Sequence, residues 1–167
     1  AIYGRMDTEV ALAVHNMPGM ASPIAPWLRR VGEFKQAVRL PVFHAARISD
    51  IATARYAIRE GLLDMVAMTR AHIADAHLVR KLRDGRFDDI RPCVGCIQMC
   101  IGELHRLRGI KCVYNPVTGF EAERAELGTA PVRKRVVVIG GGPGGMEAAR
   151  VAAERGHEVI LFERTAE

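Results

Sequence analysis

Four cysteines lie within twenty residues of this 167-residue chain and are its only thiols: Cys93, Cys96, Cys100 and Cys112. Disulfide-linked secreted domains spread their cysteines along the chain, so this tight cluster is typical of a metal site in a cytoplasmic protein. The spacing C-x2-C-x3-C-x11-C can supply four thiolates either to a cubane iron–sulfur cluster or to one zinc ion. Structural zinc sites usually pair two C-x2-C turns and this chain has one, so the spacing favours iron–sulfur and leaves zinc as the alternative.

A second chemical pattern is a glycine-rich turn that follows an apolar strand at 135–139. Gly140, Gly142 and Gly145 occupy the G-x-G-x-x-G positions, which allow a tight turn, a close approach to a pyrophosphate and close helix–strand packing. Glu163 follows Gly140 by 23 residues, where a carboxylate accepts hydrogen bonds from ribose hydroxyls. The acid favours FAD or NAD over NADP, and a glycine-rich connector without a ligand is the less favoured alternative.

Two arginines form the third pattern, because each follows a predicted strand. Arg47 comes after the strand at 40–46, and Arg70 comes after the strand at 63–68. In a β/α barrel the loops after the last two strands commonly bind a phosphate, and backbone N–H groups from Thr69 to His72 would complete such a cradle. Spacing alone leaves a second interpretation equally open, in which both are surface arginines in loops.

The elements that must position these residues alternate between helix and strand. Helices are predicted at 31–38, 50–60, 75–84 and 146–155, and strands at 40–46, 63–68, 135–139 and 159–163. Asp50 is expected to cap the second helix, and Gly61, Gly85 and Gly156 are expected to end helices. The predicted inner faces are Ile51, Ala54, Ala57 and Ile58 of one helix and Leu78, Val79 and Leu82 of the next. Short connections between alternating elements predict an α/β fold with parallel strands, and Val10–Val14 is a candidate upstream strand.

Composition excludes several classes of protein. Hydrophobic residues make up 49% of the chain and charged residues 26%, which is typical of a globular domain rather than a disordered one. The net charge of +5 comes from scattered basic residues without an aromatic-lined stripe, so a nucleic-acid surface is not expected. No apolar run reaches the roughly 18 to 20 residues of a membrane span, and no secretory leader is recognised. The first residue, Ala1, and the position of the last, Glu167, within a nucleotide-binding unit suggest a fragment.

The three patterns occur in an order that resembles a known family. Four stretches are responsible for the resemblance: His44-Ala45-Ala46-Arg47-Ile48, Asp64 to Arg70, Ile73-Ala74-Asp75 and Asp89 to Cys96. From about Pro41 onward the chain resembles the NADH:flavin oxidoreductases of old yellow enzyme type. Within them it is most similar to the iron–sulfur flavoproteins typified by 2,4-dienoyl-CoA reductase and trimethylamine dehydrogenase, and its cysteine spacing is closer to the former.

The resemblance implies an architecture in three parts. Residues 1–90 would be the last β/α units of an FMN-binding TIM barrel, residues 91–130 a [4Fe–4S] segment and linker, and residues 131–167 the first βαβ of a Rossmann-like FAD/NAD(P)-binding domain. Arg47, Arg70 and Thr69 would then hold the FMN phosphate, and the four cysteines would hold the cluster. The glycine turn and Glu163 would bind the adenosine half of FAD, or a bare ADP.

The implied activity passes electrons between NAD(P)H, FAD, the cluster and FMN, and FMN exchanges hydride with a small organic substrate. The substrate is either an unsaturated acyl-CoA or enone that is reduced, or an N-methyl amine that is oxidatively demethylated. The residue sequence at 44–47 and 69–75 is more similar to that of the family's amine demethylases. The stretch 15–23 is expected to lie near the substrate. A zinc-stabilised binding module without catalytic activity is the alternative function.

Two departures from the family pattern stand out. The family often has glycine before the first arginine, where this chain has Ala46, and proline after Ala-Asp, where it has Ala76. Ala46 is expected to narrow the room for the phosphate.

The catalytic acid of the reductases lies earlier in the barrel and is not identified here. His15 and His44 are further candidates for the site, although a histidine within a buried strand is more often a hydrogen-bonded core residue.

Overall fold

The computed structural model describes residues 16–124 and 126–165 and contains both helices and parallel strands. The chain divides into two compact units after Gly119. The first unit contains, in order, α1 (Leu28–Ala37), β1 (Phe43–His44), α2 (Ile51–Arg59), β2 (Met65–Val66), α3 (Thr69–Ala74), α4 (Leu78–Arg83) and α5 (Ile101–His105). The second contains α6 (Glu121–Arg124), β3 (Arg135–Ile139), α7 (Pro143–Glu154) and β4 (Glu158–Phe162). This arrangement confirms the predicted α/β class, whereas the predicted three-part division stays a prediction.

The first unit is built on the parallel pair of β1 and β2, in which Phe43 lies opposite Met65 and His44 opposite Val66. The pairing is parallel as predicted, but each strand has two residues where a run of six or seven was expected. A side chain interrupts the ladder at its start, because the backbone N–H of Val42 donates to Asp64 Oδ2 at 2.6 Å. At the other end the backbone N–H of Ala67 donates to the His44 carbonyl at 2.8 Å.

The strand pair has one covered face. Val42 and His44 are buried, and Val42 belongs to the core that α1 and α2 form with the strands: Ala25, Leu28, Val31, Val42, Ile48, Ala57 and Leu63. Phe43 is 61% exposed and Met65 is 49% exposed, on the face away from this core. The prediction of a buried strand at 40–46 is therefore wrong for one of its two faces, since successive side chains of a strand point in opposite directions.

Local signals place the helix ends well. Asp50 caps α2 by accepting a hydrogen bond from the backbone N–H of Thr53 at 2.7 Å, and Gly61 follows the helix with a φ of +65°. The predicted inner faces are too wide, because Ile58 is 44% exposed and Val79 is 58% exposed. Helix α3 is not predicted by the sequence analysis, and α4 begins at Leu78 rather than at residue 75.

The second unit is a βαβ arrangement in which β3 and β4 pair in parallel from Arg135 opposite Glu158 to Ile139 opposite Phe162. Helix α7 begins three residues earlier than predicted, with Pro143 in its first turn, where the missing N–H has no intrahelical partner to lose. Strand β4 ends one residue earlier than predicted, so Glu163 lies just beyond it.

No helix among the described residues has the length and hydropathy that crossing a bilayer requires.

Candidate functional site

The glycine turn between β3 and α7 contains two glycines that the fold itself requires. Gly140 has a φ of +102°, in the left-handed region that side chains rarely adopt. A Cβ added to Gly145 would lie 1.9 Å from the carbonyl oxygen of Gly140, so the helix can pack against the turn only when this residue is glycine. These are the first and third glycines of the pattern, and their predicted structural roles agree with this geometry.

Gly142, the second glycine of the pattern, differs from the other two. It is the N-cap of α7 with φ −65° and ψ 172°, which any residue adopts, and an added Cβ would meet nothing within 4 Å. The chain itself therefore gives no reason for glycine here. The open surface at this point lies where the N–H groups of a helix N-terminus favour an anion.

Glu163 lies against the same turn. Its Oε2 accepts a hydrogen bond from the backbone N–H of Gly141, and its Oε1 accepts from the backbone N–H groups of Arg164 at 2.6 Å and Thr165 at 3.0 Å. The N–H of Gly141, followed by those of Thr165 and Arg164, lowers the pKa of Glu163 below its ordinary value. The carboxylate is thus ionised and fixed beside the turn, where the sequence predicted a ribose-binding acid.

The four cysteines line one pocket in the first unit, together with the basic side chains of Arg70 and Lys111. Its remaining walls are mostly apolar: Ile73, Val94, Ile97, Met99 and Val113. All four cysteines are half-buried. Burial raises the pKa of the Cys100 thiol, and the backbone N–H of Tyr114 lies 3.4 Å from Cys112 Sγ as a hydrogen-bond donor.

The cysteines share a pocket without converging on one point. Among the described residues, no three His, Cys, Asp or Glu side chains are grouped as they would be around a single metal ion. A zinc ion holds its sulfur ligands at about 2.3 Å, which brings them within about 4 Å of one another. A cubane attaches each thiolate to a different iron, so its ligands stand farther apart. Four thiolates are the donor set that a cubane cluster uses, with one thiolate for each iron.

Arg47 and Arg70 line a second pocket of the first unit, an open cavity of about 280 Å³ that also contains Thr69. This volume lies at the lower end of the range of cofactor and ligand sites. Asn16 lines the same pocket, and neither Oδ1 nor Nδ2 of its buried carboxamide has a hydrogen-bond partner among the described residues. Two guanidinium groups and an unpartnered amide in one cavity are suited to a polar, anionic ligand.

Both arginines also hold the loop that follows Asn16. The Arg47 guanidinium donates to the carbonyl of Gly19, and Arg70 Nη1 donates to the carbonyl of Pro18 at 2.9 Å. A guanidinium has five N–H groups, so one carbonyl partner leaves donors for a phosphate. The sequence analysis missed Pro18 and Gly19 as arginine partners, and the only available signal was their place in the stretch 15–23, expected near the substrate.

Of the backbone donors expected from Thr69 to His72, one is already used within a helix. These residues form the first turn of α3 rather than a loop, and the N–H of His72 donates to the Met68 carbonyl at 3.1 Å. That N–H is therefore taken up by the helix. Ala46, immediately before Arg47, has a φ of +77°, which explains why glycine suits this position in the family pattern.

Of the two histidine candidates, His44 belongs to the core rather than to either pocket. It is 7% exposed, and burial lowers its pKa, which favours the neutral imidazole. Its Nε2 has no hydrogen-bond partner among the described residues, so the expectation of a hydrogen-bonded core histidine is wrong for this atom. His15 and the candidate strand Val10–Val14 lie outside the described residues.

The arginine pocket and the cysteine pocket adjoin each other. Arg70, Ile73 and Cys100 line both of them, so the same guanidinium and the same thiol take part in the two sites. The sequence predicted each site separately and gave no indication that they share a wall.

Comparisons with known proteins agree with this combination of sites. The chain is 54% identical, over 162 residues, to the "multifunctional alkene reductase/demethylase OYE" of Caballeronia cordobensis, covering 96% of this chain and 23% of that protein. It is 48% identical, over 164 residues, to the "probable N-methylproline demethylase" of Rhizobium meliloti (strain 1021), covering 97% of this chain and 24% of that protein. The solved complex of 2-naphthoyl-CoA reductase with 2-naphthoyl-CoA matches with a TM-score of 0.83 and 34% identity, over 89% of this chain and 23% of that one.

The chain belongs to the old yellow enzyme-like family of oxidoreductases. This confirms the resemblance stated from the sequence. Residues 108–167 in addition match the pyridine nucleotide-disulphide oxidoreductase family. The chain spans about a quarter of the length of the relatives that it matches. The binding roles given to Arg47, Thr69, Arg70, the four cysteines, the glycine turn and Glu163 stay predictions.

The open surface at Gly142 provides a direct test of nucleotide binding in this oxidoreductase family member. Gly142→Ala in the full-length protein is expected to leave the fold intact. It is expected to reduce the FAD retained after desalting by about tenfold or more, because the added methyl group would occupy the space where the pyrophosphate approaches the backbone. FAD content per chain, separated from FMN by liquid chromatography after heat release, gives the result. Gly144→Ala is the matched control, since its added Cβ also meets nothing within 4 Å. Equal FAD retention in the two variants would contradict the role of Gly142.

Proposed function

We propose that the chain is part of a flavin- and iron–sulfur-dependent oxidoreductase that exchanges electrons between NAD(P)H and an organic substrate. The observation that carries the proposal is the wall of Arg70, Ile73 and Cys100, which the arginine pocket shares with the cysteine pocket. A cofactor in one pocket would lie beside a cofactor in the other. When bound, FMN would supply hydride transfer and a [4Fe–4S] cluster single-electron transfer, while the protein binds and orients both.

In the arginine pocket the chain's own residues would bind the phosphate end of FMN. Arg47 and Arg70 would neutralise the phosphate by charge-assisted hydrogen bonds, and the hydroxyl of Thr69 would add one more contact. The unpartnered carboxamide of Asn16 would hydrogen-bond a polar edge of the bound flavin or substrate. Because both arginines also hold the carbonyls of Pro18 and Gly19, they would keep the loop beside Asn16 in place.

In the cysteine pocket, Cys93, Cys96, Cys100 and Cys112 would be the four ligands of the cluster. The apolar walls would limit the access of water, and Arg70 and Lys111 would balance its negative charge. The single C-x2-C turn favours this assignment over a single zinc ion, whose structural sites usually pair two such turns. The zinc-stabilised binding module therefore has no specific observation in its favour.

The second unit would begin the domain that binds FAD, or a bare ADP, and receives reducing equivalents from NAD(P)H. Support comes from the open surface at Gly142 and from the ionised Glu163 fixed against the turn. In the first unit, the exposed apolar side chains of Phe43 and Met65 form the face of the strand pair that further barrel strands would cover. These features support the interpretation as the last β/α units of a TIM barrel.

Two substrate classes fit the proposal. One is an unsaturated acyl-CoA or enone whose double bond would accept a hydride and a proton. The other is an N-methyl amine that would lose two electrons to the oxidised flavin, after which water would split the C–N bond and release formaldehyde and the demethylated amine. The relatives that the chain resembles include both an alkene reductase and a demethylase by name. We propose a cytoplasmic location as well, because cysteines that hold a metal group rather than a disulfide are typical of a reducing compartment.

The test is the cofactor content and turnover of the purified full-length protein. The proposal expects a coloured protein with four irons, one FMN and one FAD or ADP per chain. Anaerobic NADH oxidation with an enone, compared with formaldehyde release from an N-methyl amine in the presence of NAD⁺ or an artificial electron acceptor, would identify the substrate class. A colourless preparation that contains zinc and no flavin would contradict the proposal and support the binding module instead.

A further inference from the structure

The segment that carries the four cysteines is closed at its base by a direct contact between its two ends. Arg91 precedes Cys93 by two residues, and Asn115 follows Cys112 by three. Arg91 Nη1 donates a hydrogen bond to Asn115 Oδ1 at 3.1 Å. Helix α5 is the only regular element between these two residues, so the shape of the segment depends strongly on how its ends are held.

The C-terminal end of the segment is attached to α3, the helix that contains Arg70. Asn115 is 8% exposed, and its Nδ2 donates to the carbonyl of Ile73 at 3.1 Å. Thr118, also 8% exposed, donates to the same carbonyl through its hydroxyl at 2.8 Å. Ile73 lines both the arginine pocket and the cysteine pocket. Two buried side chains therefore converge on one backbone oxygen between the two sites.

The N-terminal end of the segment is attached to the end of the same helix. Asp75, the C-cap of α3, is 5% exposed, and its Oδ2 accepts a hydrogen bond from the backbone N–H of Arg91 at 2.9 Å. Asp75 also accepts from the backbone N–H of His77 at 3.0 Å and forms an ion pair with Lys81 at 2.6 Å. Burial opposes the ionisation of Asp75, but Lys81 and the two backbone N–H groups more than offset it and hold its pKa below the ordinary value.

We propose that Asn115 and Asp75 are positioning residues that clamp both ends of the cysteine segment onto α3 and so fix the four thiols relative to Arg70. The clamp consists of Asp75, Arg91, Asn115, Thr118 and the Ile73 carbonyl. Its meaning for a cofactor rests on the proposed function, because the clamp would hold the cluster ligands at a constant distance from the flavin pocket. A buried polar group that loses its partner is costly, so the clamp is expected to open as a unit when Asn115 is removed.

The experiment compares Asn115→Ala with Asp50→Ala in the full-length protein. Asp50→Ala removes the N-cap of α2, two hydrogen bonds to Thr53, and touches neither pocket. It therefore reproduces a loss of partly buried hydrogen bonds in the same unit without opening the clamp. The two measurements are the rate of iron release to a ferrous chelator under anaerobic conditions, and hydrogen exchange of the backbone amides of residues 91–118.

Asn115→Ala is expected to release iron about tenfold or more faster than the wild type, and to accelerate amide exchange in 91–118 by a similar factor. Asp50→Ala is expected to change neither. Thr118→Val removes one of the two bonds to the Ile73 carbonyl and keeps the shape of the side chain, so an intermediate acceleration of about threefold is expected. This milder variant decides the question if Asn115→Ala does not fold.

The clamp would be overturned if the amides of residues 91–118 exchanged at the same rate in Asn115→Ala as in Asp50→Ala. If Asn115→Ala does not fold, Thr118→Val takes its place in this comparison. Because hydrogen exchange needs no metal, it decides the clamp even in a protein that holds no iron. A wild-type protein without iron would overturn the proposed function instead, so the two failures are distinguishable.

Discussion

Cys96→Ser in the full-length protein is expected to eliminate the visible absorbance of an iron–sulfur cluster and to reduce the iron content from four per chain to near zero. Cys96 is the second cysteine of the C-x2-C turn and lies in the pocket that all four cysteines line. Serine is nearly isosteric, but its hydroxyl is not deprotonated at neutral pH, so one corner iron would lose its thiolate. The measurements are the absorbance spectrum and a colorimetric assay of iron and acid-labile sulfide.

Val94→Ala is the matched control for this prediction. Val94 lies in the same C-x2-C turn and lines the same pocket, but it has no atom that could bind iron. It is 45% exposed, so truncation should cost little stability and leave iron content unchanged. Full iron occupancy in Cys96→Ser would refute the cluster assignment. Loss of zinc rather than iron would support the alternative site.

Arg70→Ala is expected to release FMN from the full-length protein while FAD stays bound. A charge-assisted hydrogen bond to a phosphate contributes about 1.5–3 kcal/mol, which corresponds to roughly a tenfold to hundredfold loss of affinity. FAD is expected to stay because the glycine turn belongs to the second unit, whereas Arg70 belongs to the first. Separate quantification of FMN and FAD by liquid chromatography after desalting measures both effects.

Two further variants show whether Arg70 acts through its charge and its position. Arg70→Lys keeps the positive charge but loses the planar fork, so partial retention of FMN is expected. Arg59→Ala removes an exposed arginine of the same unit whose partner is Glu60, and it should retain FMN as the wild type does. Unchanged FMN in Arg70→Ala, or loss of both flavins together, would assign Arg70 a different role.

The features that the sequence predicted well depend on residues close to one another along the chain. The cap of α2 by Asp50 and the strand β3 followed by its glycine turn were predicted within a few residues. A cap joins residues three apart, and a left-handed turn depends on a single φ, so neither needs knowledge of distant neighbours. The order of the three patterns along the chain was also enough to indicate the family.

The short strands and the exposed faces were not predicted, because they depend on which surfaces are covered. An apolar run such as that at 40–46 indicates a buried strand, but it does not say whether both of its faces are packed. Phe43 is exposed while Val42 and His44 are buried, although all three belong to the same run. Similarly, the periodicity of α2 does not determine how wide its buried stripe is, and Ile58 lies outside it.

By itself, the sequence therefore determined the chemistry: four thiols, two arginines after strands, and a glycine turn with its acid. Only the tertiary structure decided how these groups are combined. It places Cys100 and Arg70 on a wall that the two pockets share. The two arginines donate hydrogen bonds to the carbonyls of Pro18 and Gly19. Asp75 and Asn115 are the attachment points of the cysteine segment. The physical reason is that these contacts join residues far apart in the chain. Packing and the pairing of buried polar groups bring them together, and neither leaves a periodic signal in the sequence.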